Sequence, residues 1–432
     1  MDEEGGRRGA GPNLGPADLI STLPEDLLFQ ILGRLRCARA AARTSLLSRR
    51  WRGLWTGLPD LIFCDVAPGP LLSALTSLQA TAVVPGVSYL DIHVPGHVAQ
   101  SAAVSSLLHA AARLSPAGLN VALRSNIGGL RVDLPLFDRA TSIELHGRYL
   151  CLRLPQAGGD FRARQKLSLS GCSFDVAALV LRCPCLRVLR VARACLDGDN
   201  ITIRSASLRE LAVETNSRGT DRIDVEAPML KQLSLSLCTT GDYKLSVSIV
   251  APIVLLCYHG CWNWFVFTDE EYNFMHTIKE HLITDFSVLE LYFMTRLPDY
   301  STTSSKHVFG AFVLHLLGVH RIRSALQKLK IVLMRSEVKE ECPANCSCDE
   351  PKDWRSKNFS LINLAEVEIE GFFGDDHEFD FLKVIFKCAP VLKRMVVRML
   401  DEVTTSNDRC MKMYDIFKAN PFVECKLMQC LS

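Results

Sequence analysis

The chain has 432 residues, of which 48% are hydrophobic, enough for a sizeable core in two or three domains or in one extended solenoid, and this excludes disorder of the whole. Its 49 Lys and Arg against 47 Asp and Glu leave a net charge of +2, which excludes bulk attraction to nucleic acid or an anionic membrane and favours a protein partner. The 17 cysteines are odd in number and scattered, and MDEEGGRRGAGPNLG lacks an apolar leader, so reduced thiols in the cytoplasm or nucleus are expected.

Residues 1–17 are rich in Gly, Pro and Arg without periodicity and are expected to be a disordered tail. A compact module follows. Thr22 with Glu25 three residues on forms a capping pattern, so a helix is predicted from near Leu23, with Pro24 in its first turn. Leu27, Leu28, Ile31, Leu32 and Leu35 recur on one face of it. Arg36 to Arg43 favours a second short helix, and Leu47, Trp51, Leu54, Trp55 and Leu58 predict a third from Ser45. About forty residues cannot bury this much Leu and Trp alone, so the module must dock onto something.

LPEDLLFQILGRL, SLLSRRWRGLW and then Pro59 to Phe63 resemble a plant F-box, here over residues 18–64, with Arg36 standing where many F-boxes have a second proline. The resemblance implies a three-helix module that binds the Skp-type adaptor of a cullin–RING ubiquitin ligase. Leu23, Pro24, Leu27, Ile31, Leu46 and Trp51 match the motif residues that line or support the adaptor interface. The plainer reading is that some of these, Trp51 in particular, and Leu28 beside them, only hold the helices together.

Beyond Ala67–Pro70 the rhythm changes. Apolar pairs recur at Leu90/Ile92, Leu119/Val121, Ile143/Leu145, Leu167/Leu169, Leu189/Val191, Leu211/Val213 and Leu233/Leu235. From Leu119 the spacing is 24, 24, 22, 22 and 22 residues, and LRVLRV, LRELAV and LKQLSL carry the pattern Leu-x-x-Leu-x-Leu. Such a period signals leucine-rich repeats, whose short parallel strands bury their apolar side only when neighbours stack. The predicted class is therefore α/β: an F-box, then over 71–335 a leucine-rich-repeat solenoid with its strands on the concave face. Arg187, Arg190, Arg209, Glu210, Lys231, Gln232 and Ser234 are expected outward on that face. Further strands at Val288–Leu291, Leu326–Ile331 and Leu364–Ile369 are less regular, and an amphipathic helix is predicted over Phe309–Ser324.

Residues 336–358 are polar, charged and Pro-containing and are expected to form an exposed loop. Within the C-terminal region 359–432, NLAEVEIEGFFGDDHEFDFLKVIFKCAPVLKRMVVRM resembles the FBD region that ends many plant F-box/leucine-rich-repeat proteins, with a strand through Val367 and Ile369, a helix from Phe379 to Cys388 directing Phe381, Leu382, Ile385 and Phe386 inward, and a strand from Leu392 to Val397.

Chemistry is sparse. Cys342, Cys346 and Cys348, with His377 as a conceivable fourth ligand, lack the paired spacing of a zinc site and are read as free thiols. His276 and His281 stand five apart, whereas a metalloprotease helix sets its two histidines four apart. No phosphate-binding, dinucleotide or nucleophile-elbow motif is present. The expectation is a non-catalytic substrate receptor of a Skp–cullin–F-box ubiquitin ligase, without metal or cofactor, holding an unidentified protein on its repeats. The alternative is a repeat scaffold not coupled to ubiquitin transfer. A nucleic-acid binder would need a basic concave stripe with salt-sensitive binding.

Overall fold

A computed structural model of the chain describes residues 23–80, 86–95, 100–124, 129–155, 159–192, 200–216, 222–238, 246–251, 253, 255–262, 286–295, 309–334, 354–400 and 407–429. The first helix, α1 (Glu25–Arg34), begins two residues later than expected. Pro24 is its N-cap at φ −57° and ψ 152°, because its ring holds a helical φ while its ψ remains extended. Thr22 lies outside the described residues. Helix α2 (Ala38–Arg43) follows a turn at Arg36, whose φ is +49°.

The third helix is a correction. In its place stand three 3₁₀ turns, Thr44–Leu46, Arg49–Trp51 and Leu54–Gly57. Ser48 is extended at φ −162°, and Gly53 is left-handed at φ +79°, so two breaks interrupt any α-helical ladder. The apolar spacing still serves its purpose: Trp51 and Leu58 are buried in the same core cluster as Leu28 and Leu32.

The chain then builds parallel strands. They are β1 (Asp60–Phe63), β2 (Tyr89–Pro95), β3 (Gly118–Arg124), β4 (Leu130–Asp133), β5 (Ser142–Arg153), β6 (Lys166–Ser173), β7 (Val188–Ala192), β8 (Asn200–Arg204), β9 (Glu210–Asn216) and β10 (Arg222–Glu226). After them come β11 (Gln232–Cys238), β12 (Ser246–Val250), β13 (Leu255–Trp262), β14 (Val288–Thr295), β15 (Lys328–Met334), β16 (Glu366–Phe372), β17 (Arg394–Met399) and β18 (Glu424–Gln429). Fifteen belong to one sheet in chain order, with β4 set beside the far end of β5; β8, β10 and β12 form a second, three-stranded sheet.

The apolar pairs read from the sequence are the register of the main sheet. Leu90, Leu119, Ile143, Leu167, Leu189, Leu211 and Leu233 stand side by side across seven strands, continued by Leu256, Leu289, Leu329, Val367 and Met395. All are buried, each contributing about 1.5–3 kcal/mol by leaving water. The ladder also runs backward, since Leu61 pairs with Leu90 and Phe63 with Ile92, so β1 joins the first helices to the sheet.

The return segments vary. Early ones are helical, α3 (Pro68–Ala80), α4 (Ser101–Arg113) and α5 (Val176–Leu181); β8, β10 and β12 serve in the middle; α6 (Phe309–Leu317), α7 (His320–Ala325), α8 (Asp376–Cys388) and α9 (Asn407–Lys418) serve late. The single amphipathic helix expected over Phe309–Ser324 is two helices broken at Gly318 and Val319, and α6 is buried on every side except at His315. Phe309 packs edge-on against Phe381 at 5.1 Å between ring centroids, and Phe312 against Phe293 at 6.0 Å. Trp354, within the segment expected as an exposed loop, is buried, whereas 335–353 lie outside the described residues.

Helix α8 carries the expected inward residues, with Phe381, Leu382 and Ile385 buried and Phe386 partly so. Its start is fixed by a capping box of Asp375 and Glu378, which the sequence reading missed. Among the described residues no helix is long and apolar enough to cross a membrane.

Candidate functional site

Helix α1 divides its apolar residues between two duties. Leu28 and Leu32 are buried, whereas Leu27 is 37% exposed and Ile31 40%, and Leu35 continues their line one turn on. Leu27, Ile31 and Leu35 are four apart, so they form a stripe along the helix. Leu46 is 86% exposed and Leu47 nearly as much, raised on the first 3₁₀ turn after α2. Five exposed large aliphatic side chains within about twenty residues exceed the scattered single residues of an ordinary surface.

Of the six residues proposed from the sequence, Pro24, Leu27, Ile31 and Leu46 are exposed, Leu23 is half-buried and Trp51 is 6% exposed. Trp51 therefore supports the module from inside. Arg50, beside it, donates a guanidinium hydrogen bond to the Leu23 carbonyl, tying the second 3₁₀ turn to the residue before Pro24. Leu35 and Leu47 complete the apolar set. Both were visible in the sequence at helical spacing but were not among the motif residues matched to the adaptor interface.

On the other side of α1 an open groove of about 590 Å³ is lined by residues that include Phe29, Gly33, Arg36, Cys37, Leu58 and Ile62. Cys37 is the N-cap of α2. Burial raises its thiol, but bonds from the Ala40, Arg39 and Cys64 amides and from the Cys64 side chain outweigh this and hold it below the usual thiol range.

The exposed face of the main sheet carries the polar residues that alternate with the buried ladder. Asp91 accepts from Asn120 at 2.9 Å and lies 3.0 Å from His93. Glu144 pairs with Lys166 at 2.6 Å. Further along, Glu290 accepts from Tyr292 at 3.0 Å and from Cys257 at 3.5 Å; burial and then Glu290 push the Cys257 thiol up to about 12. Arg398 bridges Glu368 and Glu370 at 3.1 and 3.4 Å. The sequence reading missed these clusters, because side chains that meet across strands 22 to 33 residues apart are not marked along one chain.

Three of the residues expected on this face are corrected. Arg187, Arg209 and Lys231 each sit one residue before their strand, at its N-terminal edge, because β7, β9 and β11 begin at Val188, Glu210 and Gln232. Arg190 and Ser234 do lie within their strands.

Cys342, Cys346, Cys348, His276 and His281 lie outside the described residues. His377 is buried on α8 with its ring edge-on to Phe309 at 6.3 Å. Among the described residues no group of three or more His, Cys, Asp or Glu could hold a metal ion.

Residues 20–63 match the F-box domain. That match spans α1, α2, the three 3₁₀ turns and β1. A putative F-box/LRR-repeat protein of Arabidopsis thaliana is 49% identical over 53 residues, 12% of this chain and 11% of that protein. An F-box/FBD/LRR-repeat protein of the same plant is 59% identical over 46 residues, 11% of this chain and 10% of that protein. A longer likeness, to an Arabidopsis F-box protein, is 26% identical over 212 residues and covers 43% of this chain and 42% of that protein. The chain thus carries an N-terminal F-box domain within a mixed, parallel-rich α/β fold, and is related to plant F-box/LRR and F-box/FBD/LRR proteins, mostly through the F-box. The matches span about a tenth of the first two relatives' length and under half of the third's.

Proposed function

We propose that this protein is the substrate-recognition subunit of a Skp–cullin–F-box ubiquitin ligase. In this reading 18–64 is the F-box that holds a Skp-type adaptor, 71–335 a leucine-rich-repeat solenoid that binds a target protein, 336–358 a connecting loop and 359–432 an FBD-like end. The observation that carries it is the exposed apolar set Leu27, Ile31, Leu35, Leu46 and Leu47 on a module that matches the F-box domain. Parallel strands in chain order, at a period in the twenties from β1 as far as β13, support the repeat reading.

The mechanism is positioning. The F-box would fix the chain's orientation on the ligase while the exposed sheet face presents a partner to the transfer machinery, raising the effective concentration of its lysines without bond-making by this chain. The protein is read as non-catalytic and as resident in the cytoplasm or nucleus, which the free thiols of the described residues fit.

The test is assembly: the full chain, a purified Skp-type adaptor and a cullin are mixed and run by size exclusion. Co-elution of all three supports the receptor reading. A folded chain eluting alone replaces it with a repeat scaffold uncoupled from ubiquitin transfer.

A further inference from the structure

The edge corrected above is itself a surface. The Arg187 amide donates to the Gln165 carbonyl at 2.8 Å, the Arg209 amide to the Arg187 carbonyl at 2.8 Å, and the Lys231 amide to the Arg209 carbonyl at 2.9 Å. Three cations are therefore stacked one strand apart, about 4.8 Å each, over a length of about 10 Å. All three are exposed, and among the described residues none has a side-chain partner. Their neighbours differ: Arg190 is 4.0 Å from Glu210, and Lys166 is held by Glu144.

Like charges side by side destabilise a sheet, so stability does not account for the ladder. Nor does bulk charge, which is only +2 over the chain. Segments 165–170, 187–192, 209–214 and 231–236 hold five cations against two carboxylates. Three residues further along the strands the sheet face carries the small side chains Ser168, Ala212 and Ser234 in one row with Arg190, so a second chain could approach closely there.

We propose that Arg187, Arg209 and Lys231 dock an acidic run of about four residues in an extended segment of the partner protein. The inference rests on the receptor reading. Charge complementarity selects the occupant, and length sets its size: about 10 Å is three steps of extended chain at ~3.3 Å per residue. A nucleic-acid backbone fits less well, because three cations over about 10 Å are a small footprint for a phosphate track.

The experiment measures fluorescence anisotropy of a labelled peptide, four consecutive glutamates between Gly-Ser flanks, with the full-length protein. The variants are Arg187→Ser/Arg209→Ser/Lys231→Ser and, as control, Arg204→Ser on the second sheet. Wild type should bind, more tightly at low salt; the triple variant should lose at least about tenfold and the control less than about twofold. Should the triple variant misfold, Lys231→Gln alone should lose about threefold. No binding by wild type, equal binding by folded wild type and triple variant, no loss in Lys231→Gln, or tighter ladder-dependent binding of a single-stranded oligonucleotide would overturn the proposal. Adaptor capture in the same samples separates the two readings: if wild type captures adaptor but not peptide, the ladder alone fails, whereas failed adaptor capture removes the receptor reading beneath it.

Discussion

Leu61 on β1 stands in register beside Leu90 on β2, and both are fully buried, so the end of the F-box is also the first strand of the sheet. Leu61→Ala should destabilise the protein by about 2–5 kcal/mol, because a cavity opens where the two parts share one core. Urea unfolding followed by the fluorescence of the five tryptophans, Trp51 and Trp55 among them, checks this. A change below about 0.5 kcal/mol would mean that β1 is dispensable to both.

Glu378 is buried at the start of α8, where its Oε2 accepts from the amides of Phe373, Gly374 and Asp375 at 3.0, 2.6 and 3.1 Å. Removing the acceptor strands three donors. Glu378→Ala should therefore cost at least about 2–3 kcal/mol and Glu378→Gln less, read from thermal unfolding. Equal midpoints for all three proteins would contradict this account of the cap.

Gly371 sits at φ +76° where the β16–β17 register shifts, and a Cβ there would run into the Leu333 carbonyl oxygen. Any side chain must therefore move β15 as well as adopt a left-handed backbone. Gly371→Ala should lose about 1–3 kcal/mol or more, whereas Gly33→Ala, which meets nothing within 4 Å, should not destabilise. Matched unfolding curves settle the comparison.

Cys37 and Cys172 should separate by pH. The Cys37 thiol lies below the usual range, held there by backbone amides against the effect of burial, and burial pushes the buried Cys172 thiol up to about 12. Only the thiolate reacts, so iodoacetamide should label Cys37 before Cys172 as pH rises towards the usual thiol range and leave Cys172 unlabelled in the folded protein. Peptide mass spectrometry reads the order; equal rates would contradict the assigned environments.

The apolar ladder was legible because its pattern is local: Leu167/Leu169, Leu189/Val191 and Leu211/Val213 each announce themselves within a few residues, and the sheet sets them side by side. The module's apolar face was legible for the same reason: Leu28 was already read as a residue that holds the helices together, and the structure buries it while leaving Leu27 exposed. The third helix was misread because spacing alone does not register Ser48 and Gly53 as breaks. The second sheet and the clusters at Glu290 and Arg398 stayed hidden, since they depend on which distant residues fall into register. Alternation also assigned Arg187, Arg209 and Lys231 to the face, because it does not show where each strand begins.

The most direct test of the account compares adaptor affinity and stability in two variants of the full chain, Leu27→Ala/Ile31→Ala and Leu28→Ala. The exposed pair should weaken adaptor binding by at least about tenfold while shifting stability by less than about 1 kcal/mol. Leu28→Ala should cost about 2–5 kcal/mol of stability. If the exposed pair leaves adaptor affinity unchanged in a folded protein, α1 is not the docking face and the central claim fails.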